Sequence, residues 1–153
     1  MGSDEATAWF LLRPPPVMPA RAIVALMGGQ ATLHSHIENF EDLLNAVKDG
    51  LPLAAFRKVA EAVGVDDHAF ADALRVLPAD GERLTVDESD RLVRFADIFA
   101  KIQYRLRDAT RASEWLKQPN AALGHRRPID LIDVQPGVSQ IEQLINDPGA
   151  AVL

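Results

Sequence analysis

Apolar residues recur at helical spacing along most of the chain. A first stripe places apolar residues at positions i, i+3, i+4 and i+7, which predicts an amphipathic helix that ends near Gly50. Two further stripes, the first stopped by Gly64 and the second by Pro78, predict two short helices joined by a tight turn. The residues of the three stripes are Phe40, Leu43, Leu44 and Val47, then Phe56, Val59, Ala60 and Val63, and then Phe70, Ala73, Leu74 and Leu77.

The second half of the chain has equally clear helix boundaries. Thr85 and Glu88 have the spacing of a capping box, in which the two residues satisfy each other's backbone amides at the start of a helix. We expect a long helix after Thr85, a shorter one that ends before Pro119, and a last one opened by Pro136. The residues expected to face inward on the last helix are Val138, Ile141, Leu144 and Ile145. Because strand-like alternation is nowhere sustained, the sequence predicts an all-α fold.

The predicted organisation has three parts. Four prolines between positions 14 and 19 predict a stiff extended segment, so we assign residues 1–36 as an N-terminal arm and linker. Residues 37–84 are the predicted helix-turn-helix and dimerisation domain, and residues 85–153 are a second, smaller helical domain. The boundary falls after the Ala-Asp-Gly linker at positions 79–81, just before the capping box.

Composition excludes several classes of function. The chain has 153 residues, a net charge of −6 and no cysteine. Disulfide and thiol chemistry are therefore excluded, and generalised attraction to nucleic acid or to an anionic membrane is not expected. The longest uncharged stretch, residues 22–37, is interrupted by two glycines and falls short of the ~20 apolar residues of a membrane span. The N-terminus is acidic where a secretory leader is basic, so we expect a cytoplasmic protein without a membrane partner.

Residues 56–75 fit a helix-turn-helix, the unit with which many repressors read DNA. Ala60 lets the two helices approach and Gly64 makes the turn. The expected small core comprises Val59, Val63, Val65, Phe70 and Ala73. The second helix, however, offers three aspartates to the phosphates, so loss of DNA binding or a use in dimerisation is favoured over DNA recognition. The doubtful candidates for DNA contact are Arg57, Lys58, His68 and Arg75.

No residue pattern indicates an enzyme, a metal site or a cofactor. His34 and His36 would point the same way on an extended strand, but no third or fourth ligand lies at a familiar spacing. Gly28 and Gly29 lack the following Lys-Ser/Thr of a phosphate-binding loop. No serine stands in the strand-turn-helix context of a hydrolase nucleophile. We therefore predict neither enzymatic activity nor a cofactor.

The C-terminal half resembles a known family. Residues 83–102 read RLTVDESDRLVRFADIFAKI, and residues 113–137 read SEWLKQPNAALGHRRPIDLIDVQPG. These segments are similar to the toxin-binding domain of the Xre/ParS/MbcA family of antitoxins, in which a degenerate helix-turn-helix of the Xre type precedes that domain. The block that carries the resemblance comprises Trp115-Leu116, Pro119-Asn120, Ala122-Leu123-Gly124 and Arg127-Pro128-Ile129-Asp130-Leu131-Ile132.

The resemblance implies an antitoxin of a type II toxin-antitoxin system. Such a chain binds a RES-domain toxin, which degrades NAD or uses it to ADP-ribosylate a target, and covers the toxin's NAD pocket. Family members are helical dimers and many repress their own operon, so the alternative is a helix-turn-helix DNA-binding repressor without a toxin partner. An acidic chain is also expected to be drawn towards the positive potential of a nucleotide pocket.

The expected toxin contacts lie in a tandem arginine, the last helix and the tail. Arg126 and Arg127 either form ion pairs with the partner or hold the turn between two helices. The apolar end of the chain has little reason to be apolar unless a partner buries it. The full set is Arg126, Arg127, Ile141, Leu144, Ile145, Asn146, Asp147, Ala151, Val152 and Leu153. In contrast, Trp115, Leu123 and Leu131 are expected to belong to the core.

Overall fold

A computed structural model of the protein describes residues 19–77 and 82–146. Eight α-helices and two short 3-10 helices follow one another in these ranges. The α-helices are α1 (Ala20–Leu26), α2 (Gly29–Leu33), α3 (Phe40–Asp49), α4 (Leu53–Val63), α5 (Asp67–Leu74), α6 (Val86–Leu106), α7 (Ala109–Lys117) and α8 (Gln135–Asn146). The 3-10 helices, Ala121–Leu123 and Pro128–Leu131, lie between α7 and α8.

The all-α prediction is confirmed. Within the described ranges, extended pairing is limited to two isolated bridges, one between Pro52 and Arg83 and one between Asn120 and Arg126. No helix in these ranges is long and apolar enough to cross a membrane.

The described residues form two compact units. The N-terminal unit extends as far as Ala100 and therefore includes most of α6, whereas residues 101–146 form the C-terminal unit. The sequence placed the boundary before Thr85. The structure differs because α6 is one unbroken helix whose part up to Ala100 carries Phe95 and Phe99 into the core of the N-terminal unit.

Aromatic rings form the centre of the N-terminal unit. Phe70 of α5 lies between Phe56 of α4 and Phe95 of α6, with both ring centroids 4.9 Å away. Phe95 in turn stacks on Phe99 at 6.1 Å. Because aromatic pairs add stabilisation beyond the area they bury, this row fixes the two short helices against the long one.

Residues 20–36, which the sequence assigned with the arm and linker, contain two helices. Pro19 precedes α1 in extended conformation, and Gly28 makes the left-handed turn between α1 and α2 at φ +96°. Ile23, Met27 and Leu33 are buried. The assignment failed because helices of seven and five residues are too short to show a repeating stripe.

Most predicted helix ends are confirmed. Gly50 and Gly64 follow the ends of α3 and α4. In the capping box, the Thr85 amide donates to the Glu88 carboxylate at 2.9 Å, and the Glu88 amide donates to the Thr85 hydroxyl at 3.1 Å. The exception is α5, which ends at Leu74 with Arg75 in left-handed conformation at φ +54° and does not run on to Pro78.

The C-terminal unit packs α7 and α8 against the second 3-10 helix. Buried apolar residues from each element fill its core: Ile102, Ala112, Leu116, Leu123, Ile129, Ile132, Val138, Ile141 and Ile145. Gly137 lies where α8 crosses this 3-10 helix, and a β-carbon there would overlap the carbonyl oxygen of Leu131. A glycine is therefore what permits the close approach.

Candidate functional site

The helix-turn-helix predicted at residues 56–75 is present as α4, a tight turn and α5. Gly64 is left-handed at φ +77°, and the amides of Gly64 and Val65 donate to the Ala60 carbonyl at 3.0 and 3.1 Å. The Asp66 carboxylate then caps α5 by accepting from the Ala69 amide at 2.9 Å. Val65 and Ala73, predicted as core, are only half-buried, and Ala71 and Leu74 fill the interior instead.

The four candidate DNA contacts lie on the surface of this unit, and Arg57, Lys58 and His68 lie beside acidic groups. Arg57 Nε is 3.8 Å from Asp67 Oδ2, and Lys58 Nζ is 3.8 Å from Glu61 Oε2. His68 Nε2 is 3.9 Å from Asp72 Oδ2. Exposed pairs of this kind contribute little stability, but each carboxylate cancels the positive potential that a phosphate would need. The helix-turn-helix geometry is therefore present, with a carboxylate close to three of the four candidate DNA contacts.

Two side chains of α6 fix the end of α5. The buried Glu88 carboxylate accepts from the Leu77 amide at 2.8 Å in addition to the Thr85 amide. One turn further on, the Arg91 guanidinium donates to the carbonyls of Leu74 and Arg75 at 2.9 and 3.0 Å. These bonds satisfy backbone groups that a helix end leaves unpaired, so α5 is rigidly held.

The first residue of the tandem arginine, Arg126, ends a closed loop of the C-terminal unit, which we call the Asn120 loop (residues 120–126). The Asn120 amide donates to the Arg126 carbonyl at 3.0 Å, and the Asn120 carbonyl accepts from the His125 amide at 2.9 Å. The Asn120 side chain accepts from the Ala122 amide at 2.9 Å. Asn120 is 8% exposed, so the residue that ties the loop together is itself part of the interior.

The two adjacent arginines have different environments. Arg127 forms a two-pronged ion pair with Asp130, with Nε to Oδ2 at 2.9 Å and Nη2 to Oδ1 at 2.8 Å. That hydrogen bond, and then the charge of Asp130, raises the pKa of Arg127 above its usual value. Arg126 is exposed, and no described residue pairs with its side chain.

The last helix corrects part of the predicted contact set. Ile141 and Ile145 are completely buried in the core, and Leu144 is half-buried, so the two isoleucines cannot contact a partner in this conformation. The exposed face of α8 is polar, with a shallow groove lined by Ser139, Glu142, Gln143 and Asn146. Asp147, Ala151, Val152 and Leu153 lie outside the described residues.

The predicted core residues of the same region are partly confirmed. Leu123 is buried, whereas Trp115 and Leu131 are half-buried.

The two histidines considered as metal ligands, His34 and His36, are not part of a cluster of metal-ligating side chains among the described residues. His36 lies 2.8 Å from Glu38, and in the described ranges no group of three metal-ligating side chains comes together.

Charge is divided unevenly between the two units. The described part of the N-terminal unit has eight Lys and Arg against thirteen Asp and Glu, a net charge of −5. The described part of the C-terminal unit has seven Lys and Arg against five Asp and Glu, a net charge of +2. The acidity of the chain therefore belongs mainly to the unit that contains the helix-turn-helix.

Two residues of structural importance were missed as individual positions. Asn120 closes the loop and Gly137 permits the packing of α8. Both stand beside a proline in the sequence, and Pro-Asn and Pro-Gly pairs are frequent where a chain turns or a helix begins. The neighbouring proline therefore indicated a turn or a helix start at each position. It did not indicate which other backbone segment would pack against the residue.

Comparison with known proteins links both units to antitoxins. Residues 42–97 match the model of the antitoxin Xre-like helix-turn-helix domain, and residues 103–147 match that of the antitoxin Xre/MbcA/ParS C-terminal toxin-binding domain. The chain is 37% identical over 75 residues to the antitoxin Xre of Pseudomonas putida, covering 47% of each chain. It is 23% identical over 120 residues to the "Prs ADP-ribosylating antitoxin" of a Sphingobium species, covering 68% of this chain and 76% of that one. The chain thus spans about half the length of the first relative.

Proposed function

Because the chain belongs to the Xre/MbcA/ParS family of antitoxins, we propose that it neutralises a RES-domain toxin by binding over the toxin's NAD-binding active site. The observation that carries this proposal is that the family's toxin-binding model, at residues 103–147, coincides with the C-terminal unit at residues 101–146. The reaction, NAD degradation or ADP-ribosylation, belongs to the partner, and the chain itself acts as an inhibitor without a cofactor. The name of the Sphingobium relative supports a toxin of the ADP-ribosylating class.

The proposed contact surface combines the exposed face of α8 with the tail that follows it. The groove lined by Ser139, Glu142, Gln143 and Asn146 gives that face a polar concave surface suited to hydrogen bonds with a folded partner. The tail, residues 147–153, includes the apolar Ala151, Val152 and Leu153. A short apolar end next to a polar helix face can enter a pocket while the face fixes its orientation.

Co-expression tests the proposal. The reading frame beside this gene is expressed alone and together with the full chain; toxicity alone, rescue together and co-purification are expected. Removal of residues 146–153 should weaken rescue, as should Gln143→Arg in the groove, whereas Asn45→Arg on the exposed face of α3 places the same side chain elsewhere and should not. Full protection by the truncated chain would rule out the tail as a contact.

Enzyme kinetics test the position of the contact. If the antitoxin covers the NAD pocket, inhibition of the purified toxin should be competitive with NAD. A tenfold excess of NAD should then raise the antitoxin concentration needed for half-maximal inhibition. Inhibition that is independent of the NAD concentration would contradict covering of the active site. It would indicate that the antitoxin binds at another place on the toxin.

A DNA-binding repressor is the second candidate, favoured by the intact helix-turn-helix geometry and the matched Xre-like domain. Gel-shift titration against the upstream region of the gene tests it. Binding that depends on Arg57 and Lys58 would support contacts between α4 and the DNA backbone.

We also expect a homodimer, and light scattering measures the oligomeric state. The exposed Phe40 and Leu44, one turn apart on α3, provide apolar surface for such a contact.

A further inference from the structure

The two residues of the tandem arginine differ: Arg127 is held by an ion pair within the chain, whereas Arg126 is exposed. Arg127 is held by Asp130 in a short two-pronged pair within the second 3-10 helix. Arg126 immediately precedes it, and no described residue satisfies its guanidinium. Because an arginine fork can bind a carboxylate through two parallel hydrogen bonds, an arginine held beside a rigid brace is a ready anchor for an anionic group.

The backbone that presents Arg126 is fixed in advance. Three hydrogen bonds from the backbone of Asn120 close the loop: its amide binds Arg126, and its carbonyl binds Leu123 and His125. Leu123 is buried beneath it. His125 adopts the left-handed conformation at φ +63°, which is unfavourable for a residue with a side chain. Such a conformation persists only where the surroundings impose it, so little ordering remains to be done on binding.

The outer surface of the loop allows close approach. Ala121, Ala122 and Gly124 are exposed and small, and no atom outside the chain neighbours of Gly124 lies within 4 Å of where its β-carbon would be. A facing surface can therefore come near the loop backbone, with Arg126 as the long side chain at its edge. Arginine is the cation most often found as an interface anchor.

The charge next to the Asn120 loop indicates the chemistry of the facing surface. Residues 117–130 carry three basic residues, Lys117, Arg126 and Arg127, against one acidic residue, Asp130. The whole chain is acidic and would be expected to approach a positive nucleotide pocket, but the basic segment that carries the Asn120 loop complements a surface of negative charge. The loop therefore suits an acidic patch outside the pocket.

We infer that the Asn120 loop is a preformed docking element in which Arg126 binds a carboxylate on the toxin's surface, while Arg127 is a positioning residue that braces the loop through Asp130. This inference rests on the proposed function. It adds a second contact, of defined charge, to the contact at the active site.

The test compares full-length variants for affinity to a catalytically inactive form of the toxin identified by co-expression. Arg126→Ala should weaken the complex at least about tenfold at low salt, and Arg126→Glu more, without a change in the melting temperature. Arg111→Ala is the matched control, since it removes one exposed charge from the first turn of α7 and should leave affinity nearly unchanged. The loss caused by Arg126→Ala should shrink as salt rises.

A charge swap separates the brace from the anchor. Arg127→Ala should lower the melting temperature, and Arg127→Asp combined with Asp130→Arg should recover much of that loss together with toxin affinity. If the swapped variant melts normally but still fails to bind, Arg127 is itself a contact and the division of roles is wrong.

The remaining outcomes are distinguishable. A stable wild-type complex whose affinity is unchanged by Arg126→Ala overturns this inference alone. The absence of any complex with the wild-type chain refutes the proposed function, and the inference with it. If Arg126→Ala leaves toxin affinity intact but abolishes binding to random duplex DNA, the arginine serves nucleic acid and the inference is also overturned.

Discussion

The two units of this chain use charge in opposite ways. In the N-terminal unit, a surplus of acidic residues surrounds the helix-turn-helix, and Arg57, Lys58 and His68 each have a carboxylate within 4 Å. In the described part of the C-terminal unit, residues 101–146, basic residues outnumber acidic ones by two, and the side chain of Arg126 has no partner among the described residues. The shape of a helix-turn-helix and the charge on its surface are therefore separate properties, and the shape alone does not establish DNA binding.

Arginines illustrate the same contrast at the level of single side chains. Arg91 of the N-terminal unit is spent on the carbonyls at the end of α5, where it maintains the architecture. Arg127 of the C-terminal unit similarly stabilises the turn by its ion pair with Asp130. Its neighbour Arg126 is exposed and makes no such pair with a described residue.

The largest expected effect concerns the packing of the C-terminal unit. Gly137→Ala places a methyl group against the Leu131 carbonyl, which is backbone and cannot move aside, so we expect a loss of about 3 kcal/mol in the free energy of unfolding and impaired toxin binding. Gly124→Ala is the control: its β-carbon meets no atom, and only the left-handed conformation is penalised, at roughly 1 kcal/mol. Thermal denaturation of both variants measures the difference, and an equal effect would show that the contact with Leu131 is loose.

A smaller effect is expected in the N-terminal unit. Glu88→Ala removes the acceptor of two backbone amides, from Leu77 and Thr85, and should cost about 2 kcal/mol of stability. Thr85→Ala removes only the hydroxyl of the cap and should cost about 1 kcal/mol. Chemical denaturation gives both values. Equal destabilisation of the two variants would show that Glu88 stabilises the protein only through the cap of α6. The hydrogen bond from the Leu77 amide would then contribute nothing measurable to stability.

The sequence predicted the helices whose ends carry their own markers. Gly50, Gly64 and the Thr85/Glu88 box act within a few residues of the boundary they set, so local chemistry is enough to find them. The short α1 and α2 were missed because their stability comes from burying Ile23, Met27 and Leu33 against the rest of the unit, which is tertiary information.

The candidate site was predicted less well than the fold, for a related reason. An apolar stripe marks the face of a helix that is buried, but it does not distinguish burial in the chain from burial by a partner, so Ile141 and Ile145 were counted for both. The division of Arg126 from Arg127 depends on a 3-10 turn that brings Asp130 to one of them. Sequence spacing alone leaves the two arginines equivalent.

The smallest expected effect tests whether the carboxylates of α5 weaken DNA binding by the helix-turn-helix. Asp67→Lys together with Asp72→Lys removes two carboxylates and adds two cations on α5, and should raise affinity for duplex DNA by about tenfold at low salt. The matched control places lysines at Glu38 and Glu41, outside the helix-turn-helix. Electrophoretic mobility shifts at two salt concentrations measure this, and equal gains for both variants would show that net charge matters and the helix-turn-helix surface does not.

We propose that the chain neutralises a toxin through its C-terminal unit and without DNA binding by its N-terminal unit. Growth rescue measures this directly, with the toxin co-expressed beside the Arg126→Glu variant or the Asp67→Lys, Asp72→Lys variant, each from an unrelated promoter and at matched protein levels. We expect the α5 variant to rescue growth as the wild type does, and Arg126→Glu to rescue it poorly. Full rescue by Arg126→Glu together with failure of the α5 variant would contradict this proposal.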